Sequence, residues 1–232
     1  MKAIFLVGIL SMLLASCARH EVMTNTFLAA PSLQEAAIPD AAFAVIPNTN
    51  VANPILDQTV KEKIEFMLES MGYQIAVPGQ ADYFLQYHYD MEAETAVRHR
   101  FLPRRRSFYD RGSRFNDPFR DSGFGYSTYT SEPYTLYLAK LRITASSKDA
   151  VTGEQKVIWV GETLTKSLNP DLRNLIDYLI AASFRYFMKD TGRNKNVVLD
   201  EGNSAVEGLR LISNPGSGQA NASSYPAPSP GT

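Results

Sequence analysis

Cysteine is almost missing from this chain: Cys17 is the one thiol in 232 residues. Histidine is nearly as scarce, with His20, His88 and His99, and no two of them have the helical spacing of a metal-ligand pair. A formal net charge of −1 excludes a generally basic nucleic-acid binder or membrane-surface protein, so any charged site is local. No apolar run reaches the roughly 20 residues that a membrane-spanning helix needs. No repeat of solenoid length is visible. There is no phosphate-cradling glycine motif and no serine nucleophile elbow, since Gly123-Phe124-Gly125 has neither a strand-to-helix context nor the further glycine. What the chain does have is 44% hydrophobic and 20% charged residues, enough for one sizeable core.

The thiol has a telling position. Met1 and Lys2 form a short positive start, Ala3 to Ala15 is almost wholly apolar, and small residues Ala15 and Ser16 stand before Cys17. Leu14-Ala15-Ser16-Cys17 resembles the bacterial lipobox. That resemblance implies a signal peptide over 1–16, cleavage between Ser16 and Cys17, and acylation of Cys17. Two or three acyl chains, at about 0.8 kcal/mol per buried methylene, hold a soluble domain on a membrane where one would not. The alternative is an ordinary secretory signal whose cleavage site includes a cysteine. Ala18, which is not Asp, implies by the same resemblance the outer rather than the inner membrane, with the domain facing the periplasm.

Beyond Cys17, residues 17–40 show no sustained period and read as a lipidated cysteine followed by a flexible tether. Its 23 or so residues would span about 25 Å. The Asn/Gly/Ser/Pro-rich end reads as disordered, giving a tail over 201–232. A folded domain is expected over 41–200. Whether "NVVLD" and "VEGLRLI" after Gly192 add a strand or a short helix stays open.

Within the domain, "AAFAVIPN" reads as a strand. Asn53-Pro54 opens a helix with an apolar stripe of Leu56, Val60, Ile64, Met67, Leu68 and Met71, ended by Gly72. "YQIAV" and "ADYFLQYHYDME" read as strands, the second with Tyr83, Leu85, Tyr87, Tyr89 and Met91 on one face. "YTLYLAKLRITASS" and "KVIWVGETLTKS" should pair as a hairpin through a turn at Thr152-Gly153, with Val157 and Trp159 on the core side. Asn169-Pro170-Asp171 starts a second helix carrying Leu172, Leu175, Ile176, Leu179, Ile180, Ser183 and Phe187, closed by Gly192. The expected fold is α+β, a two-layer sandwich: a mainly antiparallel sheet of about five strands with two amphipathic helices on one face.

The order of these elements, the stretch "MGYQIAVPGQADYFLQYHYD" and "LRITASSKDAVTGEQKVIWVGE" resemble an uncharacterised bacterial envelope lipoprotein family, domain of unknown function four-one-three-six. The likeness covers Phe43 to Met188. This chain has Val160 between Trp159 and Gly161 where the family more usually has Arg. The family implies an envelope lipoprotein with an α/β domain and no established activity.

No enzyme is expected. If Cys17 carries lipid, no cysteine nucleophile remains. His88 shares a polar strand face with Gln86, Asp90 and Glu92, a set that reads as a solvated sheet face in preference to a metal site. Tyr83, Tyr87, Tyr89, Tyr134, Tyr137 and Trp159 read as core under helices in preference to a ligand groove. Neither a metal nor a cofactor is implied.

The most individual stretch is an insertion over 95–131. It holds eight Arg (Arg98, Arg100, Arg104, Arg105, Arg106, Arg111, Arg114 and Arg120) against three Asp, with eight Phe or Tyr interleaved. Arg pairs bidentately with carboxylate and phosphate and stacks on aromatic rings, which suits an anionic partner: lipid headgroups, lipopolysaccharide phosphates, or acidic protein or cell-wall groups. The expected compartment excludes nucleic acid. The bland reading is a long loop whose charges keep it soluble. The functional expectation is a non-enzymatic envelope lipoprotein that binds or scaffolds; the alternative is an accessory subunit of an envelope transport or assembly machine.

Overall fold

The computed structural model describes residues 19–29, 41–49, 51–102, 128–148 and 154–213. Seven strands and three helices follow one another: β1 (Arg19–Leu28), β2 (Ala42–Ile46), α1 (Pro54–Ser70), β3 (Gln74–Ile75), β4 (Tyr83–Leu102), β5 (Thr128–Lys148), β6 (Gln155–Ser167), α2 (Leu172–Phe184), β7 (Lys195–Asp200) and α3 (Ser204–Ser213). The strands form one sheet in the order β3-β2-β4-β5-β6-β1-β7. All neighbours are antiparallel except β2, which runs parallel to β3 and to β4.

The α+β class and the mainly antiparallel sheet stand. The sheet has seven strands where about five were expected, and the described residues contain three helices where two were expected.

Residues 19–28, expected to belong to a flexible tether, form an inner strand between β6 and β7. The inward side chains of β1 are Val22, Thr24 and Thr26, all fully buried, whereas the apolar Met23 and Phe27 point outward and are exposed. A strand that turns threonines inward gives no hydrophobic alternation for a sequence to display. Thr26 Oγ1 donates to the Lys189 carbonyl at 2.8 Å, whereas the Thr24 hydroxyl is buried with no hydrogen-bond partner among the described residues. At the other end, residues 201–213 of the expected tail close the domain as a turn and α3, which packs Val206 and Leu209 inward. Asn203 accepts hydrogen bonds from the first free amides of that helix, Ala205 N at 3.1 Å and Val206 N at 3.4 Å.

The two longer helices obey their sequence signals at the start. Asn53 Oδ1 accepts from Leu56 N at 3.1 Å with Pro54 in the first turn, and Asp171 Oδ1 accepts from Arg173 N at 3.1 Å. Gly72, at φ 89°, sits just after α1 in the left-handed conformation that suits glycine. Gly192 plays no such part for α2, which ends at Phe184 and passes through a turn over 185–188 before reaching it.

The core lies between the sheet and the helix layer. α2 packs on β5, β6 and β1, while α1 packs on β2 and touches both other helices. Leu85 and Tyr87 of β4, Leu141 and Ile143 of β5, and Trp159 of β6 are buried against this layer. Trp159 is core as expected, but Val157 is not its companion. Ala145 pairs with Trp159 and Ser146 with Val157, so Ile158 is an extra residue in a β-bulge. The bulge buries Ile158 and Trp159 together and turns Val157, half exposed, to solvent.

Candidate functional site

Three places on the domain bring polar chemistry together. The first is the helix-free face of the sheet. His88 and Asp90 of β4 stand opposite Arg142 and Lys140 of β5, and Arg142 stands opposite Glu162 of β6. Lys140 Nζ meets Glu92 Oε2 at 2.7 Å, and Arg142 Nε lies 3.6 Å from Glu162 Oε1. His88, Asp90, Lys140, Arg142 and Glu162 line, with Met23, an open hollow of about 390 Å³. His88 is thus on a charged, solvated face, and no group of three His, Cys, Asp or Glu among the described residues is placed to hold a metal ion. Cross-strand pairs at such exposure contribute a few tenths of a kcal/mol each and chiefly fix register.

The second place lies among the helices and was not anticipated. Lys63 of α1 and Asp177 of α2 form an ion pair with both side chains almost fully buried. Burial pushes the Asp177 carboxyl above its usual range, while the Lys63 ammonium and the Arg210 guanidinium pull it back. The pair lies beside a cleft of about 700 Å³ between the three helices, with Arg173, Glu201 and Arg210 at its rim. Next to it, Asp57 is held by Asn48 Nδ2 at 2.9 Å and by the Tyr87 hydroxyl at 2.9 Å. Burial and the Asp57 carboxylate push the Tyr89 phenol up to about 12 and raise that of Tyr87 further. A sequence signal existed: Lys63 falls within the apolar stripe Val60, Ile64 and Met67, where a charge is out of place unless it has a buried partner.

The third place is the insertion. It begins as structure: β4 and β5 pair from Ala93↔Tyr137 outward to Leu102↔Thr128, past the last β5–β6 pair, Tyr137↔Ser167. A two-stranded arm therefore continues beyond the body of the sheet, nine residue pairs long and about 30 Å by strand rise. Arg98 lies opposite Glu132 and stacks its guanidinium 5.2 Å from the centre of the Tyr134 ring; Arg100 lies two residues on, opposite Thr130. Ser131 Oγ and His99 Nδ1 are 3.0 Å apart. Of the proposed partner-binding arginines, Arg98 and Arg100 are brought together on one face of the arm. Arg104, Arg105, Arg106, Arg111, Arg114 and Arg120 lie outside the described residues, as do Ser16 and Cys17.

No family model and no curated protein matches this chain. Solved structures similar to it include a PDZ domain protein from Parabacteroides distasonis, with 17% identity and a TM-score of 0.45 over 83% of this chain and 42% of that one. The chain thus spans less than half of that protein's length. A PelC dodecamer from Paraburkholderia phytofirmans is similar at 15% identity and TM-score 0.36, over 70% of this chain and 94% of that one. A DUF4136 family protein from Bacteroides thetaiotaomicron is similar at 14% identity and TM-score 0.37, over 72% and 96% of the two chains. These scores and identities are too low to carry a function from one chain to another. No helix among the described residues is long and apolar enough to cross a membrane.

Proposed function

We propose that this chain is a bacterial envelope lipoprotein, held on the outer membrane through an acylated Cys17, with a domain that binds or scaffolds and catalyses nothing. The observation that carries the reading is the Leu14-Ala15-Ser16-Cys17 sequence behind Lys2 and a thirteen-residue apolar run. It accounts for the solitary thiol, because a cysteine spent on lipid needs no partner in an oxidising compartment. The domain's polar clusters support the non-catalytic part. On the open sheet face Lys140 pairs with Glu92 and Arg142 with Glu162, and Lys63 and Asp177 are committed to each other in the interior. A distant kinship with family four-one-three-six belongs to the same proposal.

Mass spectrometry of the mature protein tests it. The expected N-terminus is Cys17 carrying a diacylglycerol on sulfur, with sedimentation in the outer-membrane fraction. An unmodified Cys17, or cleavage elsewhere, overturns the reading.

A further inference from the structure

The position of β1 removes the slack between anchor and domain. Arg19 is already in the sheet, paired with Asp200, and only Ala18 separates it from Cys17. Two residues of extended chain reach about 7 Å. If Cys17 carries lipid, as proposed above, the edge of the sheet where β1 begins rests at the membrane surface.

That edge is also where the arm leaves. Val22 pairs with Thr165 and Ser167 with Tyr137, so Arg19 falls level with the base of the arm. It stands two strands from β5, about 10 Å to the side. The arm runs on about 30 Å past this level, to the side on which the chain leads to Cys17. A monomer's two-stranded ribbon cannot pass into the hydrocarbon, because both its outer edges would bring unpaired backbone groups with them. The remaining place for it is along the headgroups.

The geometry points to a second membrane contact: the arm of β4 and β5 lies on the anionic phospholipid headgroups of the leaflet that holds Cys17, with Arg98 and Arg100 as its phosphate contacts. Both are exposed and alternate along one strand, so they share a face. Arginine suits this role because its planar fork binds phosphate bidentately. Tyr134, under the Arg98 guanidinium, adds an amphipathic ring of the kind favoured at headgroup level. The described strands of the arm also carry Glu94 and Glu132, so the positive surplus of this region comes from the sequence that joins the strands, with six Arg and three Asp. Lipid anchor and arm then act as two linked contacts, and the second orients the domain that the first merely holds.

The test uses the mature lipidated chain with a spin label at Ala96→Cys, on the same strand face as Arg98 and Arg100, in phosphatidylcholine vesicles with and without phosphatidylglycerol. Association with vesicles reports the anchor; access of a water-soluble relaxation agent to the label reports the arm. The expected result is anchorage to both vesicles, with label access several-fold lower on the anionic ones, restored by high salt and by Arg98→Glu with Arg100→Glu. The Arg98→Lys, Arg100→Lys variant keeps the shielding in part, which separates charge from damage to the ribbon. Equal access on both vesicles by an anchored chain overturns this inference and leaves the lipoprotein reading intact. A chain that carries no acyl mass and stays in solution overturns both.

Discussion

The indole of Trp159 lies across the backbone of Gly161, two residues along the same strand. A β-carbon at Gly161 would stand 2.7 Å from Trp159 Cζ2 and 2.9 Å from Ser183 Oγ on α2. The bulge at Ile158 turns the ring inward, and the missing side chain at Gly161 gives it room. The ring is then fixed by its Nε1, which donates to the Lys189 carbonyl at 3.1 Å, and by an edge-on contact with Phe187. The pairing of a Trp with a following Gly in the sequence is a packing device.

Gly161→Ala should therefore destabilise the domain although it adds only one methyl group. Overpacking of this kind costs about 1–3 kcal/mol, or several degrees in Tm for a domain of this size. Thermal unfolding followed by near-ultraviolet circular dichroism of Trp159 measures it. An unchanged Tm would mean that the ring moves freely.

The Lys63–Asp177 pair leads to a cycle of three variants. Lys63→Met and Asp177→Leu each leave one buried charge alone and should each lose about 3–5 kcal/mol. The double variant should recover most of that loss, since a buried ion pair is weakly stabilising against apolar residues of similar volume. Urea unfolding of all four proteins gives the coupling. If the double variant loses as much as the two singles added, the pair is not coupled in the folded state.

His20 should make the fold acid-sensitive. Burial beside the Tyr178 ring, 4.1 Å away, is the main cause that lowers its pKa below 6.5, with Arg210 assisting and Glu201 opposing. A histidine with a depressed folded pKa binds its proton more weakly in the folded state. Its contribution is therefore present above pH 6.5 and is lost as pH falls through the folded pKa. Between pH 7 and 5, His20→Asn should show a smaller fall in Tm than the parent chain. Parallel curves for the two would remove His20 from the acid response.

A chain that begins at Ala29 should fail to fold. It lacks β1 and with it the only strand partner of β7 among the described residues. Loss of cooperative unfolding and rapid proteolysis within residues 154–213 are the expected readouts. A folded truncated protein would show that β1 is an accessory strand.

Helices α1 and α2 and the β5–β6 pairing were legible because their inward faces are apolar and the helix caps are local: Asn53 and Asp171 accept from amides three and two residues away, and Pro54 suits the first turn. The first strand was not, because Thr24 and Thr26 occupy its buried positions and the apolar Met23 and Phe27 its exposed ones. Its place is set by partners in the last third of the chain. The arm was half legible: composition marked the 95–131 stretch, but Glu94, Thr95, Arg98, Glu132 and Thr135 gave the strand no apolar face, since an arm outside the core has nothing to pack against. Lys63 was readable as a misplaced charge in an apolar stripe, yet its partner Asp177 lies 114 residues away and no local rule joins them.

The location of β1 also dictates the order in which the protein can be completed. Val22 is flanked by Thr165 and Val197, so the strand made first waits for elements made near the end. Loops closed over such separations are costly and late to form. Until then β6 has a bare edge and β7 has no sheet to join, so the two ends of the chain become ordered in one event. Without β1 the sheet of β3-β2-β4-β5-β6 ends in an open edge at β6. An edge of that kind is a template on which a second chain can pair, and docking of β1 removes it.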